Sequence, residues 1–286
     1  FANVSFLERE ALVKLYQATN GTNWTNKWNL SAPINTWYGV KLYNDKVIAI
    51  NLADNNLTGS LPNEITDLVF LQTLDLHKNK INGNIPQSIG KLKSLETIDI
   101  SFNKLSGEIP SSLCEISNLK EVQLYMNMLN GELPVDLGKL TKLETLSLYN
   151  NEIEGQIPSS LYGLSSLKTL LLSSNKINGE LSKEVVNFKL LENLSLFDNA
   201  MNGQVPLELE NLSNLKEMNI SYQKAWKLID ASNKASKEPL IATQVGGNKG
   251  GGTVITPYGK SLIESFEKIN VACWEFLDLQ LKKHSL

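Results

Sequence analysis

The chain has 286 residues, 42% hydrophobic and 20% charged, the balance of an ordinary globular protein with a core to bury. Nowhere does an apolar run reach the roughly 18 residues that a membrane span needs, and no signal-peptide pattern is present, so any leader is expected either to have been removed or to lie outside this sequence. The net charge of −3 is unevenly placed: residues 1–213 carry 17 basic and 23 acidic side chains, residues 214–286 carry 10 and 7, and Arg9 is the one arginine. A basic set made of lysine lacks the bidentate fork suited to phosphates and base edges, which counts against nucleic-acid recognition. Cys114 and Cys273 stand in segments of different character. They read as small buried hydrophobes and not as a disulfide framework.

In chain order, Ala11, Leu12, Leu15 and Tyr16 predict a helix, followed by Trp24, Trp28 and the run Trp37-Tyr38-Gly39-Val40. A 24-residue period then takes over. Asparagines recur at Asn55, Asn79, Asn103, Asn127, Asn151, Asn175 and Asn199. Glycine follows four residues after each, from Gly59 to Gly203, and proline three further on, at Pro62, Pro86, Pro110, Pro134, Pro158 and Pro206, with Ser182 the exception. Residues such as Leu71, Leu74 and Leu76 are the inward side chains of a short strand that stacks on the next coil. The asparagine amide is expected to satisfy backbone groups that the bend after the strand would otherwise bury unpaired. Glycine permits a positive φ, and proline fixes an extended stretch. Seven in-register copies exceed the roughly three that a solenoid needs.

Residues 46 to about 222 resemble the plant-type leucine-rich-repeat proteins, a class also found in bacterial surface and secreted proteins. Residues 1–45 resemble that family's amino-terminal cap, without the cap cysteines common in plant members, which points to a bacterial relative. The resemblance implies an α/β solenoid of 24-residue repeats: a cap at 1–45, repeats at 46–222 with seven full coils and a partial eighth, and a mostly helical tail at 223–286. It also implies secretion or display at a cell surface, with a cytoplasmic location as the alternative.

In such a repeat the residues between the core leucines line the concave face. The central column reads Asn51, Asp75, Asp99, Gln123, Ser147, Leu171, Ser195. The next reads Ala53, His77, Ser101, Tyr125, Tyr149, Ser173, Phe197, and beside it stand Asp54, Lys78, Phe102, Met126, Asn150, Ser174, Asp198. Phe102, Tyr125, Met126 and Tyr149 fall on three adjacent coils and are expected to form one exposed patch, with Phe197 beyond it. Rigid aromatics on a polar surface suit protein or peptide partners, and stacked tyrosines also suit sugar rings. Asp75, Asp99 and His77 share this face, where paired carboxylates would suit a glycosidase or calcium. No other oxygen-rich cluster accompanies them, and the one other histidine is His284. Zinc and triad motifs are absent, and the expectation is a binding face without metal, cofactor or catalysis.

After Leu215, Met218 and Ile220 the pattern ends, with Gln223 where asparagine is due. Residues 221–230 read as a helix capped by Ser221, followed by Glu238-Pro239-Leu240-Ile241, glycine-rich Gly246–Gly252, Val254-Ile255-Thr256-Pro257-Tyr258-Gly259 and a final helix from Lys260 to about Lys283. Residues 219–286 resemble part of the winged helix-turn-helix domain of molybdate-dependent transcription regulators, without its first two helices. That resemblance implies a recognition helix from Ser221, a wing at Gly247–Gly252 and DNA contacts from Lys224, Lys227 and Lys249. Leu262, Phe266, Ile269, Cys273 and Phe276 form a seam for a homodimer or for folding back on the solenoid. Three readings follow: a protein-binding module, a DNA-binding regulator working through the tail, and a carbohydrate-active enzyme using Asp75 and Asp99.

Overall fold

The computed structural model describes residues 4–202, 206–219, 241–244 and 252–255. The predicted cap helix spans Phe6–Ala18, and its N-cap Ser5 accepts from the Glu8 N–H. Glu8 is buried, yet its carboxylate is fully used: it accepts from the Ser5 hydroxyl (2.6 Å) and the Val47 N–H (3.0 Å), with Lys46 Nζ at 3.6 Å. One helical carboxylate therefore ties the cap to the first strand of the solenoid.

The cap aromatics interlock. Trp24 meets Tyr16 and Trp28 edge-on, with centroids 5.0 and 4.9 Å apart, and Trp28 stacks on Trp37 at 4.8 Å. Each indole N–H reaches a carbonyl, Trp24 to Thr19, Trp28 to Tyr38 and Trp37 to Ala32, so three large rings are buried without an orphaned donor. The cap also supplies a strand that the sequence did not announce. Val40–Tyr43 pairs antiparallel with Lys46–Asn51 through Asn44 and Asp45, both at positive φ, the geometry of a tight primed hairpin turn.

Among the described residues the concave sheet has nine strands: this hairpin, then Thr73–Asp75, Thr97–Asp99, Glu121–Gln123, Thr145–Ser147, Thr169–Leu171, Asn193–Ser195 and Glu217–Asn219, all parallel after the first pair. Along the parallel strands the register never slips, so Leu74, Ile98, Val122, Leu146, Leu170, Leu194 and Met218 fall in one buried row. A second parallel sheet, Thr58–Ser60, Lys80–Gly83, Lys104–Glu108 and Met128–Asn130, runs through the glycine segments and continues as single bridges from Glu132 to Asn202. The glycines expected for their backbone freedom thus also take part in a ladder, with Gly59, Gly83 and Gly107 inside its strands. Gly59 shows why the residue is glycine: at φ 89° a Cβ would lie 2.2 Å from the Ala18 carbonyl oxygen of the cap helix. Short 3-10 turns, such as Asn63–Asp67 and Ser111–Glu115, close the coils just after Pro62 and Pro110. Cys114 sits in one of them, buried, its thiol pushed up to about 11 by desolvation and therefore protonated and inert at neutral pH.

The repeated asparagines behave as expected. Asn79 donates to the carbonyls of Leu52, Leu76 and His77 (2.9, 2.9 and 3.2 Å), and its Oδ1 accepts from the N–H groups of Asn55 and Leu57 (3.0 and 2.9 Å). Asn103, Asn127, Asn151, Asn175 and Asn199 repeat the core of this set one coil at a time, each donating to a carbonyl of its own coil and one of the coil before and accepting from one N–H of the coil before. Asn55, first in the row, turns instead to the cap and accepts from the Asn26 N–H at 2.6 Å.

In the tail, Ile241–Gln244 and Gly252–Ile255 pair antiparallel on either side of the glycine-rich segment. The Ser221 helix, the final helix with its seam at Leu262, Phe266, Ile269, Cys273 and Phe276, and Lys224, Lys227 and Lys249 lie outside the described residues. Among the described residues no helix is long and apolar enough to cross a membrane.

The asparagine row yields a stability prediction. Asn127→Leu keeps the branched shape and the number of side-chain heavy atoms but strands the Leu105 N–H and the carbonyls of Ile100 and Leu124. At about 1–3 kcal/mol for each unpaired buried group, the expected loss is about 3 kcal/mol or more in urea unfolding. A loss below about 1 kcal/mol would mean that the ladder does not hold the coils.

A candidate ligand-binding face

The concave sheet presents its side chains on strands of three residues, held by ladders on both flanks, so a side chain's column is fixed by the 24-residue period. Tyr125 and Tyr149 occupy one column on successive coils. Their rings stack at 4.5 Å with planes 9° apart, and Phe102 meets Tyr125 edge-on at 5.9 Å. The three rings form one continuous wall. Burial raises the Tyr149 phenol above its usual pKa, with Tyr125 and Asp99 adding to the effect. Met126 stands beside them, half-buried, and Phe197 lies 48% exposed further along the face.

Phe102 and Met126 also carry a backbone feature that their residue types hide. Both sit at positive φ, 53° and 54°, as do Lys78, Asn150, Ser174 and Asp198 at the same place in their coils. Bulky residues seldom adopt this conformation, and its recurrence in successive coils shows that the bend of the repeat imposes it.

Toward the cap the face turns acidic. Asp75 Oδ1 accepts from the His77 backbone N–H and lies 2.7 Å from His77 Nδ1, while Asp99 Oδ2 stands 4.0 Å from the same nitrogen. Asp99 Oδ1 accepts from the Ser101 N–H (3.0 Å) and hydroxyl (2.5 Å). One ligand atom from each of Asp75, His77 and Asp99 lies within 4.8 Å of the others. The imidazole thus sits between two carboxylates whose inner oxygens are already committed to their own turns.

The lysines near this face are tied up. At the start of successive strands Glu96 pairs with Lys120 (2.6 Å), Glu144 with Lys168 (2.6 Å) and Glu192 with Lys216 (2.7 Å), and Lys78 pairs with Asp54 at 2.9 Å. The Glu96 and Glu144 carboxylates hold the Lys120 and Lys168 ammonium groups above their usual range, and Lys216 holds Glu192 below it. With the lysines neutralised in pairs, the Asp75–Asp99 end keeps a net negative character.

The concave columns need one correction. Ser101, Ser147 and Ser195 were expected to line the surface, but all are buried. A small side chain between larger neighbours on adjacent coils is overhung by them, which column counting alone does not register. Ser147 is 1% exposed, and its Oγ is without a hydrogen-bond partner among the described residues. Tyr125 and Tyr149 are likewise half-buried, because they cover each other.

The unpartnered hydroxyl gives a test. Ser147→Ala is expected to leave stability unchanged or raise it by up to about 1 kcal/mol, because it removes a buried polar group that nothing satisfies. A loss of more than about 1 kcal/mol in thermal or urea unfolding would show that the hydroxyl is bonded.

Comparison with known proteins agrees with this architecture. The leucine-rich repeat region model matches residues 113–242, and the single leucine-rich repeat model matches residues 46–68, 70–92 and 94–116. A plant ice-binding protein superposes with a TM-score of 0.66 at 26% identity, over 76% of this chain and 71% of that one. The leucine-rich-repeat ectodomain of the Arabidopsis receptor kinase HAESA, solved with an IDA peptide hormone ligand, gives 0.65 at 27%, over 75% and 36%. The BIR2 ectodomain from Arabidopsis thaliana gives 0.50 at 30%, over 56% and 86%. Among curated proteins, the molybdenum transport protein ModE of Azotobacter vinelandii is 36% identical over 59 residues. That match is 21% of this chain and 22% of that protein, so the chain spans about a fifth of that relative. With its parallel ladder, asparagine row and repeat-by-repeat matches, the chain belongs to the leucine-rich-repeat proteins.

Proposed function

We propose that this chain is a non-catalytic recognition module that binds a protein or peptide ligand on its concave face, outside the cell. The observation that carries this reading is the wall of Phe102, Tyr125 and Tyr149. Aromatic rings fixed by each other on a rigid sheet lose little entropy when a ligand covers them, which is what anchors of an interface require. The scaffold does not decide the function: the plant ice-binding protein and the peptide-bound HAESA ectodomain share it. The chemistry of this chain's own face does, and it is aromatic and acidic. The similarity to ectodomains supports an extracellular place. Asp75 and Asp99 serve recognition in this reading and not the hydrolysis of a sugar, since the side chain between them is His77 and their inner oxygens are spent on turns.

A library of random dodecapeptides displayed on phage and panned against the full chain tests the reading. Selected peptides are expected to lose about tenfold or more in affinity against the Tyr125→Ala/Tyr149→Ala double variant. Unchanged affinity, or no selected peptide at all, would remove the concave wall as a binding site.

A second reading rests on the tail. The pair Ile241–Gln244 and Gly252–Ile255 brackets the glycine-rich segment read as a wing, and ModE, the relative with a 59-residue match, is of the regulator family that the tail resembles. In this reading the tail addresses DNA. Anisotropy of a labelled duplex titrated with the full chain checks it: sequence-selective binding that weakens steeply with salt is the expected signature, and no binding at low salt rules it out.

A further inference from the structure

The rings on the concave face follow the coil period, and the period has an open rung. Tyr125 and Tyr149 stack at 4.5 Å because successive parallel strands are spaced by about the thickness of stacked rings, about 4.8 Å. In the same column the next coil offers Ser173 and the one after it Phe197. The strands beneath are in strict register, Thr145 with Thr169 with Asn193. Tyr149 and Phe197 therefore stand two coils apart, about 10 Å, with Ser173 and Ser174 between them. A planar group placed there would lie about 5 Å from either ring, the spacing of the tyrosine pair itself.

The column contains another serine, and the contrast is informative. Ser101 is fully buried, its hydroxyl spent on Asp99. Ser173 remains half-exposed, next to an aromatic that is 48% exposed. The gap at Ser101 is closed by the protein; the gap at Ser173 is open.

The charge on this face supplies the second element. Asp99 lies three coils from the Ser173 rung, about 14 Å, with Asp75 one coil further. An extended chain covers that distance in about four residues. Because the neighbouring lysines are paired with Glu96, Glu144, Glu192 and Asp54, the attraction at that end is for a cation.

We infer that the ligand is an extended peptide segment running along the solenoid axis, which inserts an aromatic side chain between Tyr149 and Phe197 at Ser173 and sets a lysine or arginine, about four residues away, against Asp99 and Asp75. This inference rests on the concave-face reading and gives that reading a partner chemistry. The aromatic residue completes a stack of four rings, and the basic residue meets carboxylates already oriented by their turns. Rings that the protein positions in advance cost the complex little ordering, so the peptide's own aromatic group carries most of the selectivity.

The peptides selected on the full chain test it. The expected sequences carry Tyr, Trp or Phe with Lys or Arg about four positions away. Ser173→Trp fills the rung from the protein's side and should weaken binding about tenfold, whereas Ser173→Ala, which leaves it open, should not. Asp75→Asn/Asp99→Asn should abolish the preference for the basic residue and flatten the dependence on salt. Circular dichroism confirms that each variant is folded. Peptides that depend on Tyr125 and Tyr149 but are indifferent to Ser173→Trp overturn this inference and leave the concave-face reading intact. Peptides indifferent to every variant overturn both, as does the absence of selected peptides. Acidic peptides, or an immobilised oligosaccharide retaining the chain where peptides do not, also overturn the peptide chemistry argued here.

Discussion

Each coil of this protein must turn sharply at the end of a three-residue strand, and the turn would leave backbone N–H and C=O groups buried without partners. The asparagine row resolves that problem. One amide satisfies carbonyls of its own coil and of the coil before it, while its oxygen accepts from an N–H one coil back, as Asn127 does with Leu124, Ile100 and Leu105. A carboxylate could not donate, and a leucine could do neither. Because the same side chain serves two coils, it fixes both the bend and the coil-to-coil register. The in-register ladder, the buried leucine rows and the columns on the concave face all follow from that link.

The ends of such a stack are its weak points, since an open coil exposes core leucines. At the amino end the solution is concrete. Trp24, Trp28 and Trp37 cover the first coil, Glu8 bonds the helix to Val47, and Asn55 turns back to Asn26. Here the first asparagine keeps the chemistry of the row but redirects it from a preceding coil to the cap. The added hairpin strand, Val40–Tyr43, extends the sheet antiparallel, so the cap continues the ladder as well as covering the core.

A scaffold this regular makes the concave face a grid. Residues that are indifferent to the fold occupy it, and their columns set which of them touch. Tyrosines one coil apart must stack, because the coil spacing and the stacking distance nearly coincide. The same spacing converts a run of serines into a gap and an aspartate three coils away into a charge at peptide distance. Which rungs are filled differs from coil to coil, whereas the positive φ of Phe102 and Met126 recurs at Lys78, Asn150, Ser174 and Asp198 and so belongs to the coil itself.

Most of the fold was legible in the residues themselves. A 24-residue period with asparagine and glycine at fixed offsets, and proline in all copies but the one at Ser182, states the coil length, the strand position and the inward leucines, since each residue type answers a local requirement of the coil. The alignment of Phe102, Tyr125 and Tyr149 was equally readable, because a fixed period converts sequence separation into distance. Three things were decided only in three dimensions. The second sheet through the glycine segments depends on pairing between coils, which no single repeat announces. The burial of Ser101, Ser147 and Ser195 depends on what larger neighbours overhang them. The pairing of Lys78 with Asp54 and of Lys120 with Glu96 leaves no free lysine among these beside Asp75 and Asp99, and it depends on side chains 24 residues apart meeting across the ladder. A repeat records what one coil requires of itself, whereas burial and charge on a shared face belong to several coils at once.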